Sequence, residues 1–133
     1  MITKKELPYP VNALEPYYSK ETLVLHYDFL YKGYVDNTNK TQEKLEKMRN
    51  NDNYEAIKCL EKDLSFWGSG AILHELFFDN MAPSSHKTQP NDPLKEQIAK
   101  DFGSFEKMKA QFEAAAKTVE ASRLVLTGLG SCF

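Results

Sequence analysis

The chain is short of several things, and each shortage excludes a class of protein. No apolar run approaches the roughly 20 residues that a membrane-spanning helix needs. The opening residues, Met1-Ile2-Thr3-Lys4-Lys5-Glu6, hold no apolar core of a secretion signal. No membrane partner is therefore expected, and a cytoplasmic location is. Cysteine occurs only as Cys59 and Cys132, outside any CxxC pair. Reduced thiols are expected rather than a disulfide framework or a cysteine zinc site. Neither sign of charge dominates: 17 Lys and Arg face 19 Asp and Glu, for a net charge of −2. Such a balance offers little to a nucleic-acid backbone, so no nucleic-acid partner is expected. Glycine-rich phosphate loops and nucleophile elbows are missing. The sequon Asn39-Lys40-Thr41, without a secretion signal, reads as chance. Histidine is also scarce, with three in 133 residues, so the placing of each one carries weight.

What is present is the composition of a small soluble domain, 41% hydrophobic and 27% charged. Residues 7–18, with three prolines, read as an extended opening segment. Ser19 is suited to cap a helix, with Glu21 in its first turn. Leu23, Tyr27, Leu30, Tyr34 and Val35 then recur at helical spacing, with His26 on the same side. The polar stretch from Asn37 to Asn53 reads as a solvated helix with a break at Asn50-Asn51-Asp52-Asn53. A second helix is marked by Ile57, Leu60, Leu64, Trp67, Ala71, His74 and Phe78, spaced 3, 4, 3, 4, 3, 4. That seam suits antiparallel packing on the first helix. Gly68 and Gly70 lie within it, each costing about 1 kcal/mol against alanine, which suggests close approach by a neighbouring backbone or a ligand, or else simple tolerance. A loop over 82–92 leads to Asp92-Pro93, read as cap and first helical position. Ser104 is expected to cap a last helix with Phe105, Met108, Phe112, Ala115 and Val119 on its apolar face. The final twelve residues have strand-like apolar content.

Two histidines on the apolar stripes of two paired helices can meet. A buried neutral imidazole needs a polar partner, and a metal ion is one. The competing reading is a pair of core histidines bonded to backbone or to tyrosine. Imidazoles suit zinc, iron, manganese or copper, so the pair leaves the metal open. Tyr34, eight residues after His26, could aim its hydroxyl at the same place as a proton donor, or serve as a core tyrosine with a wet tip. His86, in a polar loop, reads as a surface residue.

Several segments resemble the iron/manganese superoxide dismutase family. They are Leu7-Pro8-Tyr9 with Asn12-Ala13-Leu14-Glu15-Pro16-Tyr17; Ser19-Lys20-Glu21-Thr22-Leu23 with His26 and Tyr34-Val35; Leu73-His74-Glu75-Leu76-Phe77-Phe78 with Met81-Ala82-Pro83; and Phe102-Gly103-Ser104-Phe105 with Phe112 and Ala114-Ala115. The resemblance implies a mainly α chain: a long antiparallel hairpin over 1–90, holding two ligand histidines, and the opening helices of a truncated α/β domain over 91–133. It implies dismutation of superoxide to oxygen and hydrogen peroxide at one Mn or Fe ion, bound by three histidines and an aspartate. His26 and His74 match the two ligands of the helical domain, and Tyr34 the tyrosine near the substrate entrance. Gly70 stands where manganese-type members often carry glycine. A homodimer is the assembly the resemblance implies.

The sequence departs from the family pattern at definite places. Leu30 replaces a histidine at the substrate gate, and Phe78 an active-site tryptophan. The family's remaining ligands come from a downstream Asp-Val-Trp-Glu-His-type motif, and no aspartate or histidine follows Asp101 here. With two ligands the site is expected to be impaired, and a non-catalytic helical remnant is the alternative. One choice of codons for Arg123–Leu129, read one base later, encodes Gly-Trp-Cys-Leu-Leu-Ala-Trp, which is similar to the family's next strand. A single-base frameshift is therefore expected to have replaced the family's sequence from Arg123 onward.

Overall fold

A computed structural model describes residues 1–86 and 88–119. The chain divides into two compact units, Met1–Lys87 and Thr88–Phe133. The described residues are helix and turn, with no strand among them. The strand-like ending and the expected frameshift from Arg123 lie outside the described residues, as does Cys132. No helix among those described is long and apolar enough to cross a membrane.

The first unit is a helical hairpin. Its first arm runs unbroken from Lys20 to Asn50 in three parts: α1, Lys20–Val24; a π-helical segment, Leu25–Tyr31; and α2, Lys32–Asn50. Ser19 opens it as expected, its hydroxyl accepting the Thr22 N–H at 3.2 Å. The second arm is α3, Ile57–Asp79. Contacts across the arms fix their direction. His26 meets His74, Tyr34 lies against Gly70, and Thr38 faces Gly68. Numbers rise on one arm as they fall on the other, so the hairpin is antiparallel.

The π segment changes which residues form the seam. Leu23, Tyr31 and Val35 are buried, with Tyr27 packed beside them. That is a spacing of four residues per turn, because i→i+5 bonding widens the turn. Leu30, expected on the stripe, is thereby rotated outward and is 56% exposed, and Tyr31 takes its place at 2%. The stretch after Asn37 also differs from the solvated helix expected. Thr38, Thr41, Leu45 and Met48 are buried there. The two threonines can be buried because each returns its hydroxyl to the helix: Thr38 Oγ1 donates to Tyr34 O at 2.7 Å, and Thr41 Oγ1 to Asn37 O at 2.8 Å.

The break falls where the run of Asn and Asp places it. The Asn53 N–H reaches Met48 O and the Asp52 N–H reaches Arg49 O, closing the helix in a Schellman arrangement. Its left-handed position is held by Asp52, at φ 48°. α3 keeps the expected seam, with Ala71 and Phe78 buried; only Ile57, at its open end, is exposed.

The opening segment is not extended throughout, as expected, but winds through turns over 11–17. The Ala13 N–H bonds Pro10 O, and those of Tyr17 and Tyr18 bond Leu14 O. The turns bring Leu14 into the core beside Tyr9. The preceding residues strap across both arms. Asn39 exchanges two hydrogen bonds with the Ile2 backbone, both 2.8 Å. Tyr27 Oη donates to Lys5 O at 2.7 Å, the Lys5 N–H donates to Tyr31 Oη at 3.2 Å, and Lys5 Nζ reaches Asp79 at 2.6 Å.

The second unit contains α4, Asp92–Phe102, and α5, Phe105–Thr118. The cap of α4 is Asn91, one residue before the expected Asp92; its side chain accepts the Leu94 N–H at 3.1 Å and leaves Pro93 in the first turn. Gly103, at φ 84°, ends α4 in the left-handed region that glycine enters freely. Ser104 caps α5 as expected, accepting the Lys107 N–H.

Candidate metal centre

The two histidines lie on opposite arms of the hairpin and face each other. Their ring centroids are 4.9 Å apart, with the planes nearly perpendicular. His26 sits early in the π segment, one turn from buried Leu23; His74 sits one turn from buried Phe78. Both rings are half-buried. His86 is exposed in its loop, well separated in sequence and environment.

Each imidazole is held at Nδ1. That of His74 lies 2.7 Å from Gly70 O. A carbonyl can only accept, so His74 Nδ1 carries the proton and Nε2 keeps its lone pair, the tautomer a metal ligand needs. His26 Nδ1 lies 2.8 Å from Tyr18 Oη, a partner that can donate or accept. Burial, with His74 nearby, pushes the His26 pKa below its usual value and favours the neutral ring. Burial pushes the Tyr18 phenol up, so it keeps its proton.

Aromatic rings enclose the pair. Tyr31 stacks on His74 at 6.0 Å with an interplanar angle of 3°. Phe77 and Phe78 each approach His26 at 5.2 Å. Phe78 is 3% exposed and fills space with no polar atom to offer. Tyr34 packs on His74 at 4.8 Å and against Trp67 at 5.5 Å. Its ring lies where a side chain on residue 70 would be: a Cβ there would stand 2.3 Å from Tyr34 Cδ1. What comes close at Gly70 is a tyrosine ring rather than the neighbouring backbone or ligand expected, whereas at Gly68 the nearest atom is an ordinary 4.0 Å away. Leu30 is exposed and does not join this group.

Among the described residues, no three His, Cys, Asp or Glu side chains are grouped to hold a metal. The donor set is the two imidazoles. Two features escaped the sequence reading. Tyr18 belongs to no helical period with His26, since the turns over 11–17 bring it in. Tyr31 was detectable, because Leu23, Tyr27, Tyr31 and Val35 are spaced by four.

The description "Iron/manganese superoxide dismutases, alpha-hairpin domain" belongs to a family model that matches residues 3–82, and the C-terminal domain model of the same enzymes matches residues 90–129. A manganese/iron superoxide dismutase of Propionibacterium freudenreichii subsp. shermanii is 46% identical over 121 residues, 90% of this chain and 60% of the relative. An iron superoxide dismutase of Pyrobaculum aerophilum is 44% identical over 126 residues, with the same coverage. A manganese superoxide dismutase of Haloferax volcanii is 41% identical over 110 residues, 83% of this chain and 55% of the relative. The chain spans about 60% of the length of the first two relatives.

Proposed function

Because the chain belongs to the iron/manganese superoxide dismutase family, we propose that His26 and His74 are two protein ligands of a single manganese or iron ion, in a protein that converts superoxide to oxygen and hydrogen peroxide. The observation that carries this reading is the facing pair itself: two rings 4.9 Å apart, with His74 Nδ1 committed to a backbone carbonyl. The residues fit such an ion in donor type, since neutral imidazoles suit iron and manganese. Gly70, by the family pattern, favours manganese. The bound ion supplies one-electron oxidation and reduction of superoxide. The chain's own residues orient the imidazoles, and Tyr31, Phe77 and Phe78 keep bulk water from their faces. Tyr34, whose ring packs on His74, is the proton donor to the reduced oxygen species through its hydroxyl.

The 133 residues taken alone offer two ligands of the family's four. Metal affinity and tuning both suffer from such a shortfall, so this chain by itself holds metal weakly and turns over little superoxide. The division into a ligand-bearing helical domain over 1–90 and the start of a second domain over 91–133 belongs to the same proposal. So do a cytoplasmic location and a homodimer.

The test is metal content of the purified chain after loading with Mn(II) or Fe(II), beside His26→Gln and His74→Gln. Metal retained by the parent and lost in both variants supports the site. Equal metal in all three removes it. Stoichiometric metal with robust superoxide turnover refutes the impairment but leaves the site standing.

A second reading is a non-catalytic helical module. Leu25, Phe29, Leu30 and Ile72 are each more than half exposed, apolar side chains that association would cover. Self-association that persists unchanged in His26→Gln, with no metal bound by the parent, would favour it.

A further inference from the structure

We infer that Tyr18 is a positioning residue for His26, fixing the ring orientation through its hydroxyl and able to accept the Nδ1 proton in the tautomer that a metal ligand requires. The inference rests on the metal reading above and adds a residue to it. Tyr18 Oη and His26 Nδ1 are 2.8 Å apart, a well-formed hydrogen bond. An imidazole has two nitrogens and, when neutral, one proton. For Nε2 to offer a lone pair, that proton must sit on Nδ1 and be donated to an acceptor there. His74 has a backbone carbonyl as its acceptor, four residues back on its own helix. His26 pairs instead with a side chain from the turns before the helix. Of the two bonds, only the one to Tyr18 can be deleted without altering the backbone.

Tyr18 is well placed for the task. It packs against the buried core cluster, and its N–H is tied to Leu14 O at 3.1 Å. The position of Oη is thus set by the fold of the opening segment. A hydroxyl can also turn, accepting from Nδ1–H when Nε2 holds metal and donating to bare Nδ1 otherwise. Carbonyl oxygen, limited to accepting, lacks that second option. The π segment gives His26 its place near Tyr18, while the turns over 11–17 give Tyr18 its place near His26.

Tyr18→Phe tests this, because it removes one oxygen and keeps the packed ring. Tyr17→Phe is the control, since Tyr17 is 85% exposed. The first measurement is the ¹⁵N resonance of the ring nitrogens in the metal-free 133-residue chain. Tyr18→Phe is expected to move His26 Nδ1 and leave His74 unchanged, which a packing role alone would not do. The second is the affinity of the chain for Zn²⁺, used as a diamagnetic probe. Loss of a partner behind a ligand histidine typically weakens binding about 10- to 100-fold, and that loss is expected for Tyr18→Phe and not for Tyr17→Phe. An unmoved Nδ1 resonance, or Zn²⁺ affinity within twofold of the parent, overturns the inference. If the parent binds Zn²⁺ through His74 but Tyr18→Phe binds equally well, only the Tyr18 role fails. If the parent binds no Zn²⁺ at all, the metal reading fails and takes this inference with it.

Discussion

Gly68 and Gly70 sit two residues apart on α3, and replacing each with alanine should have opposite consequences. Both substitutions gain the same helix propensity, about 1 kcal/mol. At Gly68 the new Cβ would meet only Thr38 Cγ2 at 4.0 Å, so the gain should survive nearly intact. At Gly70 it would stand 2.3 Å from Tyr34 Cδ1 and 2.4 Å from Cε1. Carbon atoms prefer about 3.5–4.0 Å, so the ring must yield by more than an ångström. Tyr34 can push into Trp67 and His74, at an overpacking cost of about 1–3 kcal/mol. Or it can swing to solvent and lose aromatic contacts worth about 0.5–1.5 kcal/mol each. Because propensity cancels between the variants, Gly70→Ala should be less stable than Gly68→Ala by about 1–3 kcal/mol. Urea unfolding measures this directly, with each kcal/mol moving the midpoint by about 0.3–1 M. Adding Tyr34→Ala should let Gly70→Ala recover the benefit seen at Gly68. Equal stabilisation by the two alanines in the presence of Tyr34 would refute the reasoning.

Three further outcomes follow from other parts of the chain. Tyr9 donates to Phe78 O at 2.9 Å, and its pKa is pushed up to about 12, first by burial and then by Asp79. A raised pKa means the contribution is complete below the unfolded value near 10 and is lost as pH rises through 12, to a total of about 2–3 kcal/mol. Tyr9→Phe should flatten that alkaline decline; parallel slopes for the two proteins would contradict it. Asp52→Gly, relieving a left-handed residue at φ 48°, should stabilise by about 0.5–1 kcal/mol, and a lowered urea midpoint would count against it. Asn91→Ala removes the cap of α4 and should cost about 1 kcal/mol, read as lost helicity by circular dichroism; an unchanged spectrum on heating would show that Asn91 caps nothing.

Where the sequence was legible, one physical rule acted alone. The 3, 4 spacing from Leu60 to Phe78 is an unmixed packing signal, and α3 follows it. Ser19 and Ser104 are caps because a hydroxyl there meets a free N–H. Legibility failed where two rules competed. Thr38 and Thr41 look solvated by composition, yet bonding to the preceding turn removes the cost of burying them. Leu30 looks buried on a uniform helical period, and the widened turn displaces it. The histidine pair was visible as two residues on two stripes, but the turns that deliver Tyr18 leave no period to detect.

The π segment has a consequence for how this hairpin tolerates insertion and deletion. Each residue of an α-helix turns the chain by about 100°, so the three wide turns from Leu23 to Val35 cover about the angle that an α-helix one residue shorter would. Losing one residue between Leu25 and Tyr31 would thus leave Val35, Thr38, Leu45 and Met48 close to their present bearing on α3, in a plain α-helix. The segment works as a phase adjuster between the two ends of one rod. A single-codon deletion of exposed Phe29 or Leu30 should therefore be tolerated, whereas one within the regular turns of α2 should swing every later residue about 100° off α3.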